Sequence, residues 1–361
     1  MWPKTDLTDL LKVEHPVIQA PMAGSATVAL AAAVSNAGGL GSLGYAATPL
    51  EEIRANVLVL RTATDKPFNL NFFTHSPPQE NKEINSRTHD RLKPFYEEVG
   101  LAEVPVSAKV PFGTFDADTL SLLMELKPAV TSFHFGLPDT KMVAALKNAG
   151  CVVLCSATTV AEARILNDAG VDAIIAQGWE AGGHRGGFDT SYEDFGVGTM
   201  ALVPQVCDAV DVPVIAAGGI ADGRGIAAAF ALGASGIQMG TAFLSCPEAN
   251  VSEAHRSAIR NATDQDTRLT RAFSGRPARA RNNRYIEDMA ENRTPLPDFP
   301  SMYGFSGPLR DQSVERGEMD FQFLLYGQAA TLNRELPAAE LVQTLVKESQ
   351  EIFSKRYTIS L

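Results

Sequence analysis

The chain has 361 residues, 45% of them apolar, enough to bury a sizeable core in one large or two ordinary domains. Its formal charge of -11 and pI near 5.1 argue against a nucleic-acid partner, because such binders gather lysine and arginine on one face. The opening MWPKTDLTDLLKVEH lacks the apolar run of a secretion signal, and no segment reaches the roughly 18 uninterrupted apolar residues of a membrane span. A cytoplasmic protein with no membrane partner is therefore expected, as a monomer or homodimer.

In chain order, short β-branched runs alternate with alanine-rich amphipathic stretches, the pattern of parallel strands joined by crossover helices. Strands are expected at 17–22, 40–44, 68–73, 130–135, 151–156, 173–178, 213–218 and 236–241. Helices are expected at 27–37, 50–61, 117–127, 139–149, 159–169, 199–210, 223–232 and 252–261, several closed by glycine C-caps. Such pairs across residues 1–261 predict an α/β fold, a (β/α)8 TIM-type barrel rather than a doubly wound sheet. Residues 74–116 are long for a connection and read as an excursion after the third strand, with a polar helical piece inside it. From 262 to 337 the alternation lapses while arginine, proline and aromatics rise, which predicts a second, smaller lobe on the substrate side, near the active-site mouth. Residues 338–361 should hold a closing helix, at 338–355, that packs back on the barrel.

Two G-x-G-x-x-G/A matches, GLGSLG from Gly39 and GRGIAA from Gly223, are poor dinucleotide fingerprints. The first follows a helix rather than a strand, and no acidic residue closes a second strand after the other. PVIAAGGIADGRG followed by GASGIQMGTAFL is more informative, since two consecutive strands end in glycine before a turn. Backbone N–H groups at Gly218, Gly219, Gly240 and Thr241 could cradle a phosphate there without a lysine. Strand ends also carry Gln19, Asn69 or Asn71, His134, Gln177 and Gln238; uncharged amides suit the carbonyl and nitrogen edge of a heteroaromatic ring, which points to a flavin.

The six histidines show no metal-ligand spacing, and Cys151, Cys155, Cys207 and Cys246 form no C-x-x-C pair, so no metal is expected and the thiols read as reduced and buried. No G-x-S-x-G elbow or P-loop lysine is present, and no lysine or carboxylate pair marks a strand end for aldolase or isomerase chemistry. In QGWEAGGHRGG, residues 177–187, His184 follows the sixth strand on a loop at the active face, where Gly182 and Gly183 let backbone approach a bound ring. His134, inside the fourth strand, reads equally as a core histidine with a partner or as a substrate contact.

With QAPMAG and VSNAGGLGSLG at the start, GWEAGGHRGGF in the middle, the two glycine-ended strands after it and AFSGRPARARNNRYIEDM in the lobe, the chain resembles the class I nitronate monooxygenases, once called 2-nitropropane dioxygenases, over nearly its whole length. The resemblance implies FMN at the carboxyl ends of the strands, with phosphate at Gly219 and at the run Gln238, Met239, Gly240 and Thr241. It further implies that Asn71, Gln177 and Gly182 contact the isoalloxazine or its chain, that Met22, Ala23 and Gly24 pack near the ring, and that His184 is the active-site histidine. The implied reaction takes an alkyl nitronate of the propionate 3-nitronate type and dioxygen to a carbonyl compound plus nitrite or nitrate. His184 is expected first as a hydrogen-bond donor to the nitronate oxygens and second as a base on a neutral nitroalkane. In the lobe, where the family often has a P-x-x-x-x-L-T-x-x-L-R type segment, this chain reads FPSMYGFSGPLR. Tyr303 is the expected donor to substrate there, and Arg185 and Arg310 are candidates for its positive charge. The barrel half is also similar to flavin-dependent enoyl reductases, so an FMN-dependent NAD(P)H reductase of the enoyl thioester or quinone type is the alternative.

Overall fold

The computed structural model describes residues 4–106, 113–188, 196–291 and 295–354. Its strands are β1 (Val17–Gln19), β2 (Gly41–Tyr45), β3 (Phe68–Phe73), β4 (Val130–His134), β5 (Val152–Ala157), β6 (Ala173–Gln177), β7 (Gly183–His184), β8 (Val214–Ala217), β9 (Gly236–Met239), β10 (Thr267–Thr270) and β11 (Ala278–Arg281). Eight of them run parallel in the spatial order β1-β9-β8-β6-β5-β4-β3-β2, and a bridge from Ile18 to Leu40 brings the two ends together. The expected TIM-type barrel is therefore present. Its seam is thin. Beyond that bridge, the Gln19 side chain replaces a ladder, accepting from the Ser42 N–H at 2.8 Å and donating to the Ala20 carbonyl. The first strand stops short of residue 22 because the chain turns aside there, with the Ser25 and Ala26 N–H groups bonded to the Met22 carbonyl.

Strand alternation divides the side chains cleanly. Val17, Leu70, Phe72, Val153, Ile174, Ala216 and Ile237 point outward into the helices, while Ile18, Leu40, Val130, Leu154, Ala173, Ile175, Ile215 and Ala217 form the barrel floor. Leu7 and Leu11 of the helix Asp6–Leu11 plug that floor from below. One step up the same inward faces lie Ser42, Asn69, Asn71, Ser132, Ser156, Gln177 and Gln238, a polar layer toward the mouth.

The helix Glu253–Arg260 forms within its expected range, yet the outer place beside the helices Val28–Asn36 and Gly223–Ala231 is filled by the C-terminal helix Ala338–Ser354. Leu341, Val342, Leu345 and Val346 join the barrel's outer core from that helix; residue 355, its last expected residue, lies outside the described residues.

The lobe has its own core of Phe273, Tyr285, Ile286, Met302, Phe305, Leu309 and Phe321. Leu92 and Tyr96 of the helix Lys82–Glu98 belong to that core too, and the Tyr96 hydroxyl donates to the Phe305 carbonyl at 2.7 Å. The excursion after β3, expected within the barrel domain, thus packs as part of the lobe.

Candidate active site

His184 stands on a strand and not on a free loop. Gly183 and His184 pair antiparallel with Arg279 and Ala278, so the lobe's three-stranded sheet β10-β11-β7 takes its last strand from the barrel's sixth crossover. The His184 carbonyl is pinned from two strand ends at once: Gln177 Nε2 donates to it at 3.0 Å and His134 Nε2 at 3.2 Å. Gln177 Oε1 accepts from the Gly186 N–H at 2.7 Å. Since a carbonyl only accepts, His134 carries its proton on Nε2, and its Nδ1 accepts from the Ser156 hydroxyl at 2.9 Å. Burial pulls the His134 pKa down to about 4, so the ring is neutral near pH 7. Gln177 thus spends both its polar atoms on the His184 segment, and His134 one of its two.

The His184 imidazole is partly buried, with Nε2 2.9 Å from Ser274 Oγ. Phe299, Phe135, Phe323 and Tyr303 surround it at ring-centroid separations of 5.6, 5.9, 6.0 and 6.2 Å. Burial in this cage, with His134 and the Arg276 guanidinium nearby, lowers its pKa to about 3. The Tyr303 phenol is pushed up to about 12 by burial, so it keeps its proton, and the Arg310 guanidinium lies 5.0 Å over its ring. A third histidine, His75, is buried edge-on to Phe299 at 4.9 Å. Ser274, Phe135, Phe299 and Phe323 are site residues that sequence reasoning missed; the one available signal was the position of Phe135 just past a strand end.

The glycines of QGWEAGGHRGG answer to separate neighbours. A Cβ on Gly182 would stand 2.4 Å from the Tyr326 carbonyl carbon and 2.5 Å from the Gly327 nitrogen, so the crossing of the lobe's backbone requires glycine there. A Cβ on Gly186 would meet the His134 ring at 2.5 Å, whereas Gly183, at φ +76, has open space where its Cβ would be. Arg185 is buried, with Nη1 donating to the carbonyls of Gln177 at 3.1 Å and Gly178 at 2.6 Å and the guanidinium over the Trp179 ring. Its charge serves the loop.

Across the mouth, Gly218 and Gly219 follow β8 at φ +105 and +72, and Gly240 and Thr241 follow β9 at the start of a four-residue helix with no side-chain cap. The N–H groups of Gly219, Gly240 and Thr241 have no partner among the described residues. By contrast, the helix opened by GRGIAA is capped by Asp222, which takes the Arg224 and Gly225 N–H groups and would repel a phosphate. Met22 and Gly240 are neighbours, and a Cβ on Gly44 would lie 3.0 Å from the Ala23 nitrogen, so the exposed turn at Ala23 and Gly24 sits between the ends of β2 and β9.

Asn71 Nδ2 donates to the Ser132 carbonyl and hydroxyl at 3.1 and 2.9 Å, leaving its Oδ1 without a partner among the described residues. The buried acceptors Gln238 Oε1 and Asn69 Oδ1 are likewise unmatched. Unmet N–H donors on one side and Asn71 Oδ1, which unlike the other two is not fully enclosed, on the other fit a phosphate ester joined to a ring with an N–H donor. Among the described residues no group of three or more His, Cys, Asp or Glu side chains could hold a metal ion.

A family model described as nitronate monooxygenase matches residues 4–348. The chain belongs to the nitronate monooxygenase family. Within that family it is 48% identical over 344 residues to a nitronate monooxygenase of Pseudomonas aeruginosa, covering 94% of this chain and 98% of the relative. It is 45% identical over 351 residues to one of Paraburkholderia phytofirmans, covering 96% of each. Among solved structures, nitroalkane oxidase from Streptomyces ansochromogenes superposes with a TM-score of 0.87 at 38% identity, covering 96% of this chain and 99% of that one. FabK from Thermotoga maritima superposes at 0.73 and 33% identity, covering 97% of each. No helix among the described residues of this family member is long and apolar enough to cross a membrane.

Proposed function

We propose that the chain oxidises alkyl nitronates of the propionate 3-nitronate type, using FMN and dioxygen, to a carbonyl compound plus nitrite or nitrate. The observation that carries this is the family match over residues 4–348, which embraces both the barrel and the lobe that presents His184. Bound FMN would supply the electron acceptor, with dioxygen as the terminal oxidant. The chain's own residues bind and orient. Gly218, Gly219, Met239, Gly240 and Thr241 offer backbone for the phosphate, and Asn71 and Gln238 stand at strand ends for the ring, with Gln177, whose amide holds the His184 segment, packing beside it. Met22 to Gly24 and the open side of Gly183 leave room beside it.

On the substrate side, the aromatic cage of Phe135, Phe299, Tyr303 and Phe323 excludes water from around His184, and Tyr303 keeps a phenol proton to donate. Arg310, whose Nε has no partner among the described residues, supplies positive charge for a carboxylated nitronate, while His134 acts on the site through the His184 backbone. The partners are small molecules, and the place of action is the cytoplasm.

The likeness to FabK favours a second reading on the same barrel, an FMN-dependent NAD(P)H reductase of an enoyl thioester or quinone. One experiment separates them. The purified protein should carry flavin absorbance that bleaches anaerobically with propionate 3-nitronate and recovers in air. Bleaching by NADPH, with none by the nitronate, would replace the first reading by the second.

A further inference from the structure

We propose that Arg276 is a specificity-determining residue, a fixed positive charge over Phe135 that draws the anionic end of a nitronate to the His184 cage. The nitronate rests on the proposed function; the anion site does not.

One peptide group holds the charge in place. Its oxygen, the Gly187 carbonyl, accepts from Arg276 Nη2, and its nitrogen, the Phe188 N–H, donates to Glu162 Oε1 at 2.7 Å. Glu162 is fully buried in the first turn of the helix Val160–Asp168, where its other oxygen accepts from the Thr158 N–H at 2.7 Å and hydroxyl at 2.8 Å. A guanidinium at the carbonyl end and a carboxylate at the N–H end suit the dipole of a peptide, and both hydrogen bonds are charge-assisted. The lobe's arginine and the barrel's glutamate thus meet through the segment that follows His184.

From that position the guanidinium lies 4.0 Å over the Phe135 ring, and Phe135 in turn meets His184 edge to face, 5.9 Å between centroids. Phe135 is buried, so the charge acts across a dry ring and is screened less than an exposed one. Its reach shows on the histidines. Beyond burial, Arg276 is a cause shared by the lowered pKa values of His75, His134 and His184, because a second positive charge nearby is disfavoured. The same field favours a negative charge. Without it the aromatic cage would do the reverse, since an anion there loses hydration and gains no partner. Arg310, over the Tyr303 ring, is left for a carboxylate elsewhere on the substrate.

Inorganic nitrate is the probe, a planar anion that shares the paired oxygens of a nitronate. In titration calorimetry on the flavin-loaded protein, nitrate should bind, and in kinetics it should compete with an alkyl nitronate that lacks a carboxylate. Arg276→Met should raise the nitrate dissociation constant and the nitronate KM by about tenfold each, with kcat within about threefold. Arg276→Gln, neutral but still able to donate to the Gly187 carbonyl, should show the same losses and serves if Arg276→Met does not fold. Arg276→Lys keeps the charge and can stack on Phe135, so it should return both constants to within about threefold of wild type, a rescue that a packing role does not give. Absence of nitrate binding in the wild type, unchanged constants in the neutral variants, or an Arg276→Lys as impaired as they are would each overturn the proposal. Nitrate binding that depends on Arg276, in a wild type that turns over no nitronate, would instead count against the proposed function alone.

Discussion

The floor and the mouth of the barrel interior are built by the same strands and differ by one step of strand alternation. The floor is lined by Ile18, Leu40, Val130, Leu154, Ile175 and Ile215, which meet one another and leave nothing to satisfy. Two residues further along, the inward positions become Ser42, Ser132, Ser156 and Gln177, joined by Asn69 and Asn71, and several of their polar atoms are shared among too few partners. Burying polar groups costs free energy unless each finds a partner, and an aliphatic layer would have closed the barrel equally well. Asn71 Oδ1, which has no partner among the described residues and is not fully enclosed, therefore marks the mouth as a layer completed by what it binds.

Four measurements break or sharpen that division. The largest effect belongs to the mouth: His184→Asn should cut turnover of a neutral nitroalkane by about 1000-fold while the melting temperature and flavin content hold, and a fall in all three would make His184 structural. Next comes the floor, where Leu154→Ala should cost about 3 kcal/mol in urea unfolding yet leave kcat of the folded fraction intact. Loss of activity without loss of stability would erase the distinction between the two layers. Asn71→Ala should weaken FMN binding about tenfold, or ~1.4 kcal/mol, measured by flavin fluorescence on release. Unchanged affinity would remove Asn71 from the cofactor's contacts.

The smallest effect is on acid stability. Burial lowers His75, His134 and His255 to about 4 and His184 to about 3, all from an ordinary 6.5. The unfolded chain therefore takes up protons first as pH drops, so the stability these groups allow is whole above pH 6.5 and is lost as pH falls toward 4. The floor's lining side chains carry no titratable group, so thermal melts should drop by about 5 °C from pH 7.5 to 5.5 through the mouth and lobe. A flat or rising profile would contradict this.

The barrel was readable because period-two strands and glycine-capped helices are local signals, and each of the eight expected strands appears within a few residues of its expected place. The site was readable where it lies on strand ends, as at Gln177 and His134, but what those side chains hold was not. Their partner is the His184 backbone, fixed by a two-residue strand whose mate begins at Ala278, and no local pattern announces a strand so short. Ser274 was hidden for the same reason, since its meaning lies in a contact across 90 residues. The helix Lys82–Glu98 buries only Thr88, Leu92 and Tyr96, too sparse an apolar face to show that its partners lie some 200 residues on in the lobe. Gly182 is a different case: the sequence shows that room is needed, and the structure adds that the chain's own backbone at Tyr326 and Gly327 lies where a Cβ would stand.

That crossing has a consequence for how such a protein can be recombined. The Gln328 N–H bonds to the Glu180 carbonyl at 3.0 Å and the Gly327 N–H to Thr241 Oγ1 at 2.9 Å, on either side of the point where Gly182 admits the chain. The lobe is thereby stitched to two separate barrel crossovers. A chimera keeping this barrel under a foreign lobe would retain the glycine-lined cradle but forfeit the partner strand and the serine that give the imidazole its direction. Cofactor loading and reaction type would then be inherited from different parents.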